Sequence, residues 1–479
     1  MTPEVAYSSA IEQAAAVAAR EVSSRELVLA AASRIAEMDT DVNSVVRVDI
    51  DAALAAAAEA DSAVAAGQDL GPLHGVPLTI KDSFQTKGLI TTSGAPELAD
   101  FVPEVDADPV ARYRSAGAVV LGKTNLPIWA GDVQSFNDVY GTTSNPYDLR
   151  RSPGGSSGGS AAALAAGLTP LEIGSDIGGS IRNPAGMTGV VGHKPSYGLC
   201  SARGQIPGMP GTLTQADIAV VGPMARTVDD VELGLDLLTG PDDWHATAWS
   251  AELPPARTTD PKKLRVGAWL DDPGCPVSAE VVALLETAVR SLDELGAAVD
   301  VDTRPTLTFE KSVRTFDELI GAALSGGWSL SELEEMAQRD HTQGGLGVAH
   351  AAQRHRSWLA SNERRLQLRK RWREFFTEHD VMIMPVSPRP AIEHDHSMPL
   401  TKRTIDVDGE ARPYTDLMAW MGLTGVVYLP ATVVPVGLTA DGLPVGAQIV
   451  GPFLEDRTPI AVARMLEQTL GGFRRPQGF

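Results

Sequence analysis

Two glycine-rich segments bring serines together in a way that suits acyl transfer. Gly154-Gly155-Ser156-Ser157-Gly158-Gly159-Ser160 precedes Gly174-Ser175-Asp176-Ile177-Gly178-Gly179-Ser180, and Ser156 and Ser180 lie 24 positions apart. Glycine lets a backbone approach a ligand closely. A serine in such a turn can act as nucleophile, and successive free N–H groups can hold an oxyanion. A Gly/Ser linker shares this composition. The flanks Ala161–Ala166 and Leu168–Ile173, however, are rich in apolar residues that a solvated linker lacks. Lys81 ends the β-like run Val76-Pro77-Leu78-Thr79-Ile80. Seen alone, a lysine there reads as a surface residue whose stem covers apolar atoms. Beside the serines it gains a role, because serine–lysine pairs are an alternative to serine–histidine catalysis.

Other patterns carry less. Gly117–Thr124 satisfies the phosphate-loop pattern GxxxxGK[ST]. Its interior, Ala-Val-Val-Leu, reads as a strand, a helix precedes it, and Pro127 interferes with the helix that should follow. Gly154-x-Ser156-x-Gly158 and Gly155-x-Ser157-x-Gly159 match the nucleophile elbow of α/β-hydrolases. The elbow needs a strand directly before it, and Asn145–Pro153 is turn-rich instead. An esterase of that class, with His394 or His396 as base, is the weaker alternative. Glu393-His394-Asp395-His396 has no accompanying metal-ligand spacing and reads as a polar loop. Cys200 reads as a packed small side chain.

The elements that must hold these residues alternate between helix and strand, which argues for an α/β core. Residues 9–66 read as helices, with a capping box at Ser23–Glu26. Strands are predicted at 76–80, 118–121, 171–173, 264–269, from 299, at 381–384, 429–436 and 445–450. Helices are predicted at 109–115, 161–166, 228–238, 277–295, through most of 309–379, and at 458–470. The Pro-containing stretch Gly240–Lys263 reads as a surface excursion. The expectation is one large domain over residues 1–479, with a central mixed twisted β-sheet covered by helices on both faces. Within it, 1–66 is a helical N-terminal part and 67–240 the catalytic core. Residues 241–303 continue the α/β pattern, 304–425 are helical and shape the substrate pocket, and 426–479 supply closing strands and a helix.

Composition bounds the partners. The 479 residues carry a formal net charge of −21, with 43% hydrophobic residues. This acidity argues against a nucleic-acid surface and against anionic membranes. Two cysteines make no disulfide framework and fit a reducing compartment. Glu4 and Glu12 stand where an export signal would be basic, and no apolar stretch has membrane-spanning length. A cytoplasmic protein acting on a small molecule is expected, with a homodimer left open.

The ordered set of motifs resembles the amidase signature family. The resemblance rests on the two Gly/Ser segments with Ile181-Arg182-Asn183-Pro184, on Gly75-Val76-Pro77 through Lys81-Asp82, and on Gly122–Asn125. Gly192–Pro195 and Gly442–Gln448 add to it. It covers most of the chain and is least marked over 305–425. It implies a triad with Ser180 as nucleophile, Ser156 as bridging serine and Lys81 as base. It also implies a cis Gly155–Ser156 bond and no metal or organic cofactor. In such a triad a lysine with a burial-lowered pKa draws a proton through Ser156 from Ser180. The N–H groups of Ile177, Gly178, Gly179 and Ser180 would hold the oxyanion. Ser157, Asp176 and Arg182 would support them, the last two as an ion pair. Trp129, Ala130, Gly131 and Asp132 would sit beside the acyl pocket, with Trp420, Met421 and Leu423 adding apolar wall. Ser160 and Ser175 read as packing or capping residues. The activity implied is hydrolysis of an amide, anilide, carbamate or ester of a small apolar or aromatic substrate. The same triad would serve the glutaminase component of a tRNA-dependent amidotransferase, which predicts a partner protein. A non-catalytic binding protein is disfavoured, because all three triad residue types are present.

Overall fold

The structure is a computed structural model that describes residues 6–68, 70–301, 303–338 and 350–479. At the N-terminal end, helices Ala10–Ala18, Ser24–Met38 and Ile50–Ala65 pack together. The second starts at the capping box read from the sequence: Ser23 Oγ accepts from Glu26 N–H, and the Glu26 carboxylate accepts from Ser23 N–H. Between the second and third helices lies a short strand, β1 (Val45–Val48), where the sequence pattern shows only helix. Four residues are too few for a period-2 signal to stand out.

Strands β2 (Pro77–Lys81) and β3 (Val119–Thr124) join β1 in a three-stranded sheet, ordered β1-β3-β2. β2 runs parallel to β3, and β1 antiparallel to it. The phosphate-loop look-alike therefore spends its Gly122-Lys123-Thr124 inside a strand, fully buried. β4 (Phe136–Asn137) and β5 (Gly141–Thr142) form a small ribbon.

The main sheet has eight strands. They are β6 (Leu171–Asp176), β7 (Val191–Lys194), β8 (Val220–Ala225), β9 (Arg265–Ala268), β10 (Ala298–Val301), β11 (Val381–Pro385), and, after a ribbon of β12 (Thr404–Val407) and β13 (Glu410–Pro413), β14 (Ala431–Leu438) and β15 (Pro444–Val450). Their order is β10-β9-β11-β15-β14-β7-β8-β6. The β10/β9 and β9/β11 pairs are parallel and the rest antiparallel. The sheet is thus mixed, and the chain is an α/β protein. β7 and β8 are absent from the strands that the sequence pattern predicts. β7 is short and carries His193 and Lys194, and β8 contains Gly222 and Pro223, residues that argue against a central strand.

Each face of the sheet has its own packed layer. Val434, Ala447 and Ile449 join Leu285, Val462 and Leu466 of helices Ala279–Glu294 and Arg457–Leu470. Val433 points the other way, to Ile181 and Ala185, as alternation along a strand requires. Of the helical stretch 309–379, the described part forms helices Phe309–Leu324, Leu330–Ala337 and His355–Glu378. Residues 339–349 lie outside the described residues. The stretch after Gly240 is mostly exposed up to Leu264, in keeping with a surface excursion.

Candidate active site

The two Gly/Ser segments are less turn-like than their composition suggests. Gly158-Gly159-Ser160 is already the first turn of helix Gly158–Ala165. Gly174-Ser175-Asp176 completes β6, and the chain turns only over 177–181 before helix Arg182–Thr188. What the glycines provide is contact. A Cβ on Gly159 would stand 2.4 Å from the Asn125 backbone, and one on Gly155 would stand 2.8 Å from Gln134 N. The peptide bond Gly155–Ser156 is cis.

β2 abuts β6 at the edge of the main sheet, so the end of β2 delivers Lys81 to the second segment. Lys81 has no exposed surface. Its Nζ lies 2.7 Å from Ser156 Oγ, 2.9 Å from Ser157 Oγ and 2.9 Å from Ser175 Oγ. No carboxylate forms an ion pair with it among the described residues. Burial takes its ammonium from the ordinary 10.5 down to about 7, against the opposing pull of Asp176 and Glu172. Composition makes Ser175 a packing residue; the structure makes it one of the three hydroxyls around Lys81. Alternation along β6 carries the signal, since Leu171, Ile173 and Ser175 share one face of the strand.

Ser180 is 7% exposed, whereas Ser156 is fully buried. Among the described residues, Ser180 Oγ makes no hydrogen bond, and none joins it to Ser156. The two segments meet through the backbone instead: Ser157 N–H donates to Ser180 O over 3.2 Å. Gly179 N–H donates to Asp176 Oδ1 over 2.8 Å, so it is already engaged. The N–H groups of Ile177, Gly178 and Ser180 have no acceptor among the described residues.

Asp176 and Arg182 form a buried two-point ion pair, with Arg182 Nε and Nη2 donating over 2.9 and 2.8 Å. Burial alone would raise the Asp176 carboxyl, but Arg182 outweighs it and holds the group down at about 2. The other Arg182 nitrogen donates to Met421 O, Thr424 Oγ1 and Gln448 Oε1. One guanidinium thus ties the turn after β6 to helix Asp416–Gly425 and to β15.

The pocket side is mixed. Trp129 and Ala130 occupy a tight turn, both with positive φ, and Trp129 N–H donates to Ser93 O. Gly131 is exposed. The Asp132 carbonyl packs on Gly155, but its carboxylate is occupied by Arg403 at 2.7 Å and Tyr414 at 2.6 Å. The residues around Gly178 are Phe316, Ile320 and Met418, and Met421 crowds Gly179. Of the apolar wall read from the sequence, only Met421 is in that position. Trp420 is fully buried against Trp269 and Phe309, its Nε1 donating to Cys275 O, and Leu423 belongs to the same core. Phe316, Ile320 and Met418 escape a sequence reading because helix Phe309–Leu324 is distant in sequence and its apolar face looks like any core-facing stripe. His394 and His396 lie close together, 5.6 Å between rings, and His396 stacks on Phe136. No group of His, Cys, Asp or Glu among the described residues could hold a metal ion, and no helix among them is long and apolar enough to cross a membrane.

Comparison with known proteins shows the family. The profile of the Amidase family matches residues 26–459. The chain belongs to that family. It is 37% identical to a glutamyl-tRNA(Gln) amidotransferase component from Acidothermus cellulolyticus, over 96% of this chain and 94% of the relative. It is 32% identical to fatty-acid amide hydrolase 2-A of Danio rerio, over 98% of this chain and 90% of the relative. Among solved structures, a bacterial aryl acylamidase of the amidase signature family superposes with a TM-score of 0.82 at 25% identity, covering 97% of this chain and 96% of the other. The fold and the enzyme class are those of amidase signature proteins.

Proposed function

We propose that the protein is a serine amidase that cleaves the carboxamide-type C–N bond of a small apolar or aromatic substrate through an acyl-enzyme. Ser180 is the nucleophile, Ser156 the proton relay and Lys81 the base. The observation that carries this reading is the environment of Lys81: fully buried, surrounded by hydroxyls, and without a carboxylate partner. A buried ammonium is costly unless it is paired, and where the likewise buried Lys194 gives its ammonium to the backbone carbonyls of Pro195 and Leu429, Lys81 faces serine hydroxyls that can carry a proton onward. Burial without a pair favours the neutral amine, which can accept a proton.

The Lys81–Ser156 leg of the relay is a 2.7 Å hydrogen bond. The second leg closes when the Ser180 hydroxyl rotates toward Ser156, and such contacts often tighten only in the substrate complex. Ser180 Oγ attacks the carbonyl carbon as its proton passes to Ser156 and the Ser156 proton to Lys81. The N–H groups of Ile177, Gly178 and Ser180 receive the oxyanion, while that of Gly179 stays on Asp176. The proton returns through Ser156 to the leaving nitrogen, and water then hydrolyses the ester. Asp176 and Arg182 act by holding the turn that aims those N–H groups.

Phe316, Ile320, Met418 and Met421 around Gly178 and Gly179 favour an apolar acyl or leaving group. Amide, anilide, carbamate and ester differ at one atom beside the carbonyl carbon, and the relay serves each. The 37% identity to an amidotransferase component supports a second reading, as a glutaminase that works with partner proteins. Glutamine needs polar groups for its α-amino and α-carboxylate ends, and the side chains beside the turn are apolar. Assaying the purified chain against acetanilide, a fatty amide, an aryl carbamate and glutamine separates the two. Hydrolysis of apolar amides by the chain alone supports the amidase. Glutamine hydrolysis without activity on the other three overturns it.

A further inference from the structure

Ser135 stands outside the two Gly/Ser segments, yet its side chain reaches into the first of them. It is 1% exposed and directly precedes β4. Its backbone is fixed by the small ribbon, since Thr143 N–H donates to Ser135 O over 2.9 Å. Ser135 Oγ accepts from Gly158 N–H over 3.1 Å and donates to Gly154 O over 3.1 Å, with Ser156 O at 3.4 Å. One hydroxyl therefore touches the chain on both sides of Ser156. The approach depends on glycine, for a Cβ on Gly158 would stand 2.4 Å from Ser135 Oγ. Gln134 anchors the same stretch, its side-chain amide exchanging hydrogen bonds with the Asp395 backbone over 2.7 and 3.0 Å. Ser157 shows why a hydroxyl from outside is needed. It immediately precedes helix Gly158–Ala165, where a serine ordinarily accepts from an N–H two or three residues on. Ser157 makes no such bond, and its hydroxyl lies 2.9 Å from Lys81 Nζ instead. The first two N–H groups of the helix find their acceptors elsewhere, Gly158 at Ser135 Oγ and Gly159 at Asn125 O.

We infer that Ser135 is a positioning residue for Ser156. Its hydroxyl braces the backbone on both sides of Ser156 and meets the start of the helix, which leaves the Ser157 hydroxyl to Lys81. The inference rests on Ser156 as proton relay, the reading proposed above. Without the Ser135 hydroxyl, the N–H of buried Gly158 has lost its acceptor. The backbone that carries Ser156 is then held less closely. A relay whose hydroxyls must meet within hydrogen-bonding range loses rate under that change, while the apolar side chains around Gly178, which would bind the substrate, stay as they are.

The test reads Ser180 directly, through its phosphonylation by a long-chain alkyl fluorophosphonate, with the label located by mass spectrometry. In the native protein the label should fall on Ser180. Ser135→Ala should lower the limiting rate of labelling about tenfold or more, the loss of one hydrogen bond, with the half-saturating probe concentration unchanged. Ser135→Thr, which keeps the hydroxyl, should stay close to native. In a Ser156→Ala background no relay is left to position, and Ser135→Ala should change the rate little. A drop by the same factor in both backgrounds assigns Ser135 to stability alone and overturns the inference, as does an undiminished rate in Ser135→Ala. Failure of the underlying reading looks different: Ser156→Ala then labels as fast as the native protein, and the inference falls with it. If Ser135→Ala does not fold, Ser135→Cys, which keeps the volume and weakens the hydrogen bonds, takes its place in the same cycle.

Discussion

The floor and the wall of the candidate site are built on opposite principles. The floor, from Lys81 and the two Gly/Ser segments, is polar, buried and crowded with glycines that let backbones touch. The wall, from helices Phe309–Leu324 and Asp416–Gly425, is apolar and contributes Phe316, Ile320, Met418 and Met421. A floor of this kind tolerates little change, since each hydroxyl must meet a partner within hydrogen-bonding range. A wall of this kind is defined by volume, and apolar volume can be refilled in many ways. On the proposed function, chemistry and selectivity sit on separate parts of the chain, and mutations should separate them.

The largest effect belongs to the floor. Ser180→Ala removes the proposed nucleophile, and kcat for any accepted amide should fall by about 10⁴-fold or more, with the fold retained. Residual hydrolysis within tenfold of native would reassign the nucleophile. Lys81→Met keeps the buried stem and removes the amine. Its kcat should fall by about 10³-fold or more.

The same lysine sets the pH response. With its pKa lowered to about 7, Lys81 is protonated and idle below that pH and neutral above it. The kcat/KM of the native enzyme should therefore lose about tenfold per pH unit below 7 and level off above. Lys81→Met should lack this limb. A native profile flat from pH 5 to 8 would mean that Lys81 is not the titrating base.

The contrast between floor and wall also sets what the sequence discloses. Ser156 and Ser180 stand out by their Gly/Ser spacing, whereas Lys81 at a strand end draws notice only beside them, and the family resemblance is what assigns all three their proposed parts. Asp176 and Arg182 are legible because six positions place them on either side of one turn. Ser175 is easily misread because composition alone makes it look like part of a loop, whereas β6 runs through it. The alternating α/β core can be read from apolar runs bounded by turns, but β7 and β8 cannot. Gly222, Pro223, His193 and Lys194 mask strands whose extended form is fixed by their neighbours in the sheet. The wall is legible only at Met421. Nothing local distinguishes Phe316 or Met418, which stand beside Gly178, from Trp420 or Leu423, which do not, since all lie on helices as buried apolar residues.

One residue sits where floor and wall touch. Gly179 has φ +115°, and a Cβ there would come within 2.4 Å of Met421 Sδ. Gly179→Ala must strain the backbone or displace Met421, a cost of about 1–3 kcal/mol. Activity should drop about ten- to a hundredfold, with KM and kcat both altered. On the wall itself, Met418→Ala removes volume beside Gly178. The ratio of kcat/KM between a long-chain and a short-chain acyl amide should shift about tenfold toward the long chain. A mere loss of stability would leave that ratio unchanged.

The smallest effect on catalysis, and the sharpest view of what the floor costs the fold, comes from Glu172. It lies buried in β6 and accepts from the Thr79 hydroxyl, while its Oε2 has no hydrogen-bond partner among the described residues. Burial lifts its carboxyl from the ordinary 4.5 to about 8, against the hydrogen bond from Thr79. Between those values the unfolded chain gives up the proton and the folded protein keeps it. The folded state then binds more protons, so this group's contribution to stability falls as pH rises from 4.5 to 8. Glu172→Gln keeps the shape and cannot ionise. Chemical denaturation at pH 5 and pH 9 should show the variant gaining on the native protein at the higher pH, by about tenfold or more in the folding equilibrium constant. A constant difference between the two proteins would show that Glu172 is already ionised in the fold. The acid limb of the activity profile should then stay near pH 7, because the lowered value for Lys81 already carries the opposing pull of Glu172.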